Sequence, residues 1–467
     1  MFRRRALLVL AACAATAVTG YSAVTGYSAV TGYSAAAASA AIGPAATAVT
    51  VSVSTATNGH VGTGFAGFSY EKDRVGAGMF DARDTNLVNL FKLLGPSVLR
   101  IGGNLVDIVN WNAKGTGGSA KEIAPADVTK LAGFLQATGW KVIYGINLKT
   151  NTTANAASEA QFAAKTLGAS LLAFEIGNEP NGYRTEATYE TSFNSYVKAI
   201  RAKVPAAAFD GPGAYGNTSW LTPFATHEKN SLAILSMHTY VGDKTIASVS
   251  GLLASTQPGG KFPAQFQALA SAKAAGGIAA WRMTEANSYF HGGADGVSNV
   301  KAAALWSLDF MYGIASNDGS GVNFHGGTST QFPLAYSPIV FNGLTPTGVQ
   351  AVYYGELLWR LAGTGSLHAA TVAGAADVAA WGIGNNVVVN NKSASVLTVT
   401  VKLTAAAATA RGYVLTGPSM TSKTVTVAGS AVSASGAFHP SPQALRVSGR
   451  TVTLSVPAHS AVLVVTT

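Results

Sequence analysis

The chain has 467 residues, 48% of them apolar and only 11% charged. That length supports two or three domains with a sizeable core, and that composition excludes a disordered or acidic solvating chain. The formal net charge of +10 is scattered. No dense Lys/Arg stripe interleaved with aromatics appears, so nucleic acid is not an expected partner, whereas an acidic substrate is compatible with the charge.

In chain order, the first element is a processing segment. Arg3, Arg4 and Arg5 form a positive n-region, and Ala6 to Val18 form an apolar run too short for a transmembrane helix. Three tandem copies of VTGYSA follow, from Val18 to Ala35, and Ala38-Ser39-Ala40 offers a small-residue cleavage site. Residues 1–40 are therefore expected to be an export signal enlarged by a repeat, giving a secreted or periplasmic protein. The only cysteine, Cys13, follows Leu10-Ala11-Ala12. It reads either as a small apolar residue of the signal or as the lipid-attachment site of a lipoprotein. The remaining chain has no internal disulfide to rely on, and no later segment reads as membrane-spanning. A monomer is expected.

Ala45 to Thr57 alternates Val with Thr and Ser, the pattern of a half-exposed strand, so residues 41–57 are read as an N-terminal strand. From residue 58 to residue 363, strand-like and helix-like stretches alternate. The strand candidates are Gly64–Tyr70, Ser97–Gly102, Lys141–Asn147, Leu171–Asn178, Ala207–Gly211, Leu232–Tyr240, Ala279–Glu285 and Gly321–His325. Amphipathic runs such as Asp81–Leu94, Pro125–Thr138, Glu186–Lys203 and Asn299–Ala315 lie between them, and Gly348 to Leu361 supplies the last helix. Eight strands, each followed by a helix, predict a (β/α)₈ TIM barrel. From residue 364 to 467 acidic residues nearly vanish, and Val/Thr/Ser-rich strands predict an appended all-β sandwich. The strand near Val49–Ser54 is expected to pair with that sheet.

A barrel of this type places chemistry at the C-terminal ends of its strands. Tyr70-Glu71, Gly103-Asn104, Asn178-Glu179, Tyr215, His238 with Tyr240, Glu285 and the loop after His325 occupy those positions. In "FEIGNEPN", Glu175 and Glu179 share one strand parity. Glu175 falls deeper in the barrel, where a buried carboxylate needs a partner, for which Arg100 and Lys141 are the candidates. Glu179 follows Gly177, which lets the backbone turn it toward a cleft. Glu285, in "RMTEANSYFHGG", closes the seventh strand candidate. Two carboxyls facing each other across a cleft suit glycoside hydrolysis, one protonating the leaving oxygen and the other attacking or activating water.

These two stretches, "FEIGNEPN" and "RMTEANSYFHGGADGVS", resemble glycoside hydrolase family 79, the β-glucuronidase and heparanase-like group of clan A, over the barrel and the appended β-domain. The resemblance implies a retaining β-glucuronidase, or an endo-acting enzyme on heparan sulfate-like acidic glycans. It implies Glu179 as acid/base and Glu285 as nucleophile, Asn178 on the sugar 2-hydroxyl, Tyr240 holding the nucleophile, and Glu71 and Asn104 as further sugar contacts. Tyr215 is taken as part of the same wall. Related glucuronidases often carry a tyrosine where this chain has Phe290. The uronate carboxylate would then rely on backbone N–H groups from His291 through Gly292 to Gly293 and on a donor such as Tyr336, with His291, His325 and Lys301 as other candidates. Neither a cofactor nor a metal site is expected. Two other readings stay open: a clan-A retaining glycosidase for a neutral sugar, of the β-xylosidase or arabinofuranosidase type, and a non-catalytic carbohydrate-binding barrel.

Overall fold

The computed structural model describes residues 46–329 and 333–467. The export signal, the hexapeptide copies and Cys13 lie outside the described residues. The first strand, β1 (Thr47–Val61), belongs to the β-domain. Eight strands then form a closed parallel barrel in simple sequence order: β2 (Ala66–Glu71), β3 (Val98–Gly102), β4 (Lys141–Ile146), β5 (Leu171–Ile176), β6 (Phe209–Tyr215), β7 (Leu232–Asp243), β8 (Ala280–Phe290) and β9 (Val322–His325), which pairs back with β2. The helices that follow them are α1 (Thr85–Leu93), α2 (Pro125–Thr138), α3 (Thr153–Leu167), α4 (Glu186–Lys203), α5 (Leu221–His227), α6 (Lys261–Gly276), α7 (Lys301–Ala315) and α8 (Ala351–Ala362). A hairpin of β10 (Ile339–Asn342) and β11 (Thr345–Val349) lies between β9 and α8.

Local chemistry explains the boundaries. Asp84 caps α1 by accepting from the N–H of Leu87, so this helix begins later than the Asp81 expected from the pattern. In α2, Pro125 takes the first turn, Asp127 accepts from the N–H of Ala124, and Gly139 ends the helix at φ +75°. α7 and α8 differ from the rest in being buried almost all round. A helix apolar on every face must be covered on every face, and these two lie between the barrel and the β-domain.

That domain is one eleven-stranded sheet folded over its own core rather than two separate sheets. Its principal strands are β12 (Gly365–Ala373), β13 (Val378–Ile383), β14 (Asn386–Asn391), β15 (Leu397–Lys402), β16 (Ala410–Thr416), β17 (Thr451–Val456) and β18 (Ser460–Thr466). β1 lies between β12 and β15, antiparallel to the first (Thr50 opposite Ala373) and parallel to the second (Val49 opposite Val399). Val49, Val51, Val389, Val399, Val452 and Val464 fill the space inside the fold of this sheet. Polar clasps join it to the barrel: Lys392 Nζ lies 2.7 Å from Asp309 of α7, whose other carboxylate oxygen accepts from Asn390 at 2.7 Å.

The strand expected to close at Glu285 does not close there. β8 runs on to Phe290 because β7 runs on beside it, pairing Tyr289 with Gly242 and Phe290 with Asp243. The two form a lip above the barrel mouth, and a register slip between Met283 and Glu285 marks where the lip begins.

Candidate active site

The geometry begins with Arg100, which points from β3 into the barrel and is fully buried. Its Nε and Nη2 each lie 2.6 Å from Oε2 of Glu175, Nη1 donates to Oε2 of Glu285 at 2.6 Å and to Ser69 Oγ at 3.2 Å, and Nη2 donates to Asn178 Oδ1 at 2.8 Å. Of the two partners considered for Glu175, the fold selects Arg100; Lys141 is exposed at the far end of β4. One guanidinium thus fixes residues from β2, β5 and β8. Burial opposes its charge, but Glu175 and Glu285 outweigh that and hold Arg100 above the usual arginine range.

Glu179 and Glu285 face one cavity. The turn that presents Glu179 is tightly specified: Gly177 has φ +80° and Glu179 itself sits left-handed at φ +45°. Asn181 and Tyr215 exchange two bonds, of 3.0 and 2.8 Å, that pin this turn to β6, and Tyr183 donates to Asp107 at 2.8 Å. The Glu179 side chain is 25% exposed, whereas Glu285 is 8% exposed. Both Glu285 oxygens are held, Oε1 by Tyr240 OH at 2.7 Å and Oε2 by Arg100. Burial pushes the Glu285 carboxyl up, but His325, His238, Arg100 and Tyr240 together bring it down to about 2.

His238 bridges Glu175 of β5 and Glu179 in the turn after it. Its Nδ1 is 3.3 Å from Glu179 Oε1 and its Nε2 is 3.3 Å from Glu175 Oε1. Burial and Arg100 push this imidazole down, but the bonds to Glu175 and Glu179 and the charge of Glu285 lift it to about 9. A cationic His238 donates on both sides. Glu71 accepts from the Leu105 N–H at 2.7 Å and lies 3.9 Å from His325 Nε2. Burial is the main reason its carboxyl rises to about 8, with Glu285 adding to the rise and the Leu105 N–H opposing it. His325 is held below the ordinary histidine range by burial, against the pull of Glu285.

A cavity of about 380 Å³ opens over this floor, lined by Glu71, Asn104, Glu179, Tyr215, Tyr240, Glu285, Phe290, His291, His325 and Tyr336 among others. Asn178 lies just below, oriented by Arg100 and by its own bond to Asn104 Oδ1 at 3.2 Å. Phe290 stands edge-on to both Tyr215 and Tyr240. His291 is on the rim and pairs with Asp243 at 2.7 Å. Gly292 accepts from the Tyr336 N–H at 3.2 Å, and a side chain at Gly293 would collide with Ser298 Oγ at 2.7 Å, so these glycines let the loop close against Tyr336. Lys301 is the one candidate that the fold removes: it starts α7, and its Nζ donates to the Gly417 carbonyl of the β-domain at 2.8 Å.

Sequence reasoning placed His238 at the mouth without a role and knew Arg100 only as a partner for Glu175. The signal was present: Ser236, His238 and Tyr240 are polar or aromatic on one parity of a strand whose other parity is Leu235, Met237 and Thr239. The same reading expected no metal. The fold brings one ligand atom each from Glu179, His238 and Glu285 within 4.8 Å of one another, with Arg100 and Tyr240 bonded to the Glu285 oxygens.

No family model matches the chain. It is 27% identical over 318 residues to a β-glucuronidase of Aspergillus niger, an alignment taking in 58% of this chain and 58% of that enzyme, so the chain spans little more than half the length of that relative. Its structure resembles that of a 4-O-α-L-rhamnosyl-β-D-glucuronidase from Fusarium oxysporum, with a TM-score of 0.72 at 21% identity over 89% of this chain and 99% of the other. It also resembles a family 51 α-L-arabinofuranosidase from Bifidobacterium longum, with a TM-score of 0.67 at 16% identity over 90% of this chain and 99% of the other. The chain has the fold of barrel glycosidases that carry a β-domain.

Proposed function

We propose that this protein is a retaining glycoside hydrolase that cleaves β-glucuronosyl linkages, with Glu285 as nucleophile and Glu179 as acid/base, and that it belongs with glycoside hydrolase family 79. The observation that carries the reading is the spacing of the two acids. One oxygen of Glu179 and one of Glu285 lie within 4.8 Å of each other, close enough for the two carboxyls to act on one glycosidic bond, and retaining enzymes are the ones that hold such a pair closest, at ~5–5.5 Å between carboxyl groups. Glu285, ionised and aimed by Arg100 and Tyr240, attacks the anomeric carbon while Glu179 gives its proton to the departing oxygen. Water then displaces Glu285, losing its proton to Glu179.

A uronate is favoured by the charge balance under the cavity. Arg100 and His238 offset Glu175 and Glu285, so these four groups together do not repel an anion. Glu71, with its carboxyl raised to about 8, and Tyr336, whose phenol is held neutral by burial, are donors for a sugar or its carboxylate at neutral pH. The β-glucuronidase relative supports the same substrate class. Phe290 supports a second reading, a neutral-sugar substrate of the arabinofuranoside or xyloside type, since it puts an apolar edge where a carboxylate donor is expected. Comparing aryl β-glucuronide, aryl β-xyloside and aryl α-arabinofuranoside decides between them, and proton NMR of the first product settles the stereochemistry. Turnover of the glucuronide with the β-anomer appearing first is expected; preference for a neutral glycoside, or the α-anomer first, overturns the corresponding half of the proposal. Export through the N-terminal segment is part of the same reading and is checked by the N-terminal mass of protein recovered outside the cytoplasm.

A further inference from the structure

Cations that lie far apart in the sequence are gathered by the β-domain. Residues 364–467 hold Lys392, Lys402, Arg411, Lys423, Arg446 and Arg450 against a single acidic side chain, Asp377. Two of these cations are paired with the barrel chain, Lys392 with Asp309 and Lys423 with Asp295. Lys402, Arg411, Arg446 and Arg450 are exposed, and none of them has an ion-pair partner among the described residues. Arg450 is held at a turn, where its guanidinium donates to the Thr404 carbonyl.

Strand register brings the other three to one face. Side chains at opposed positions of a sheet lie on the same side, as do alternate residues along a strand. Val399 and Val401 of β15 and Val452 and Leu454 of β17 are buried inside the folded sheet, so Lys402, which stands opposite Thr451, points outward. Ser448 and Arg446 stand opposite Thr451 and Thr453 on the other edge of β17 and point outward with them. Leu445 and Val447 pack inward. Ala444 is opposite Arg411 of β16, which sets Arg411 at the border of the same outer face. On the far side of Lys402, β1 extends the face with Thr50 and Ser52, opposite Thr400 and Lys402. The outcome is a surface of cations set among rows of threonine and serine hydroxyls, with Lys402 and Arg446 two strand spacings apart, on the order of 10 Å.

We infer that this outer face of the β-domain docks an acidic polysaccharide whose repeat carries uronate carboxylates, and so holds the protein on a polymer independently of the barrel mouth. Lys402, Arg411 and Arg446 supply charge-assisted bonds to carboxylates, and the hydroxyl rows both donate to and accept from sugar hydroxyls. The rows lack what other polyanions require: no aromatic side chain stands in them for bases to stack on, and no large apolar one for insertion into a lipid surface. The cationic face stands on the strand register alone; the choice of a uronate chain as its partner rests on the β-glucuronidase reading.

The test is affinity electrophoresis of the whole chain at low salt, in gels holding hyaluronan, which carries glucuronate in every disaccharide, or dextran as the neutral control. Wild type is compared with the triple variant Lys402→Ser/Arg411→Ser/Arg446→Ser and with Lys198→Ser/Lys203→Ser/Lys229→Ser, which removes the same charge from exposed positions of the barrel. Hyaluronan is expected to retard the wild type and dextran is not. In the first variant Kd is expected to weaken by about tenfold or more with a shallower salt dependence, and in the second to change within about twofold. Should the triple variant fold poorly, Arg446→Ser alone replaces it, with an expected loss of about twofold to threefold. Turnover of an aryl β-glucuronide is expected to stay within about twofold throughout. Equal mobility of the wild type in both gels, or equal losses in the two triple variants, refutes the docking face. Retention by poly(dT) or by phosphatidylserine vesicles as strong as by hyaluronan, and lost in the same variant, overturns the polysaccharide as partner. A folded wild type that binds hyaluronan through these residues yet leaves the aryl glucuronide uncleaved overturns the glucuronidase reading and leaves the docking face standing.

Discussion

At the scale of single residues, Arg100 concentrates the design. Replacing it with Met leaves Glu175 with His238 as its only charged partner and takes the guanidinium from Glu285, and unfolding in urea is expected to show a loss of about 3–5 kcal/mol, together with loss of activity. Arg100→Lys is expected to fail as well, because a single ammonium cannot span Glu175, Glu285 and Asn178 as the planar fork does. The two catalytic candidates separate by leaving group. Glu285→Ala is expected to abolish turnover of every substrate. Glu179→Gln is expected to lower kcat/KM by about 10²–10⁴ on a poor alcohol leaving group and by far less on a dinitrophenyl glycoside, which departs without a proton. A uniform loss across leaving groups counts against the acid role. The titrating groups set the pH dependence of stability. His238 is raised to about 9, so its contribution is complete below its unfolded value of about 6.5 and is lost as pH rises through 9. Glu71, raised to about 8, holds its proton more tightly when folded, which lowers stability as pH rises from about 4.5 to 8. Glu285, lowered to about 2, stabilises above about 4.5 and stops doing so as pH falls toward 2. Thermal melts are therefore expected to peak at mildly acidic pH and to fall by pH 9, and His238→Gln is expected to flatten the alkaline side. A melting temperature that rises from pH 6 to pH 9 contradicts these assignments.

At the scale of elements, the turn after β5 decides whether Glu179 faces the cavity. Gly177→Ala forces a side chain onto φ +80° and brings its Cβ within 3.0 Å of Leu148 Cδ2 and 3.1 Å of the Tyr183 hydroxyl. The expected cost is about 1–3 kcal/mol, with a larger fall in kcat than in thermal stability alone would explain. This turn was legible in the sequence because glycine, asparagine and proline announce it locally, and the placement of Glu175 followed from strand parity. The end of β8 was not legible. Asn287, Ser288 and the Gly292-Gly293 pair look like loop chemistry, and the strand persists only because β7 extends beside it, a fact held in the pairing of Tyr289 with Gly242. His238 was visible as a residue but not as a bridge, since its role depends on β5 and β7 being brought together through β6. The displacement of Lys301 has the same origin: nothing in α7 itself says which domain its first turn will touch.

At the scale of the whole molecule, barrel and β-domain are expected to unfold as one unit, because α7 and α8 are covered by both. Asp309 makes the test. Asp309→Ala strands Lys392, whose side chain is only 6% exposed, and leaves Asn390 without its carboxylate partner. A loss of about 3–5 kcal/mol is expected, read identically by tryptophan fluorescence and by circular dichroism. Two separated transitions in the wild type would contradict the single unit. Residues 58–363 produced alone are expected to aggregate, since the outer faces of α7 and α8 would be bare.

The position of β1 also has a consequence for synthesis. It is the first described strand to leave the ribosome, yet its neighbours are β12 and β15, with Thr50 waiting for Ala373 and Val49 for Val399. Through the making of the entire barrel this Val- and Thr-rich ribbon has both edges open, the condition under which strands find the wrong partner. β1 is therefore expected to stay unpaired until β12 and β15 emerge. A circular permutant that moves β1 to the C-terminus, behind β18, would shorten that wait and should raise the yield of native protein without altering the barrel mouth.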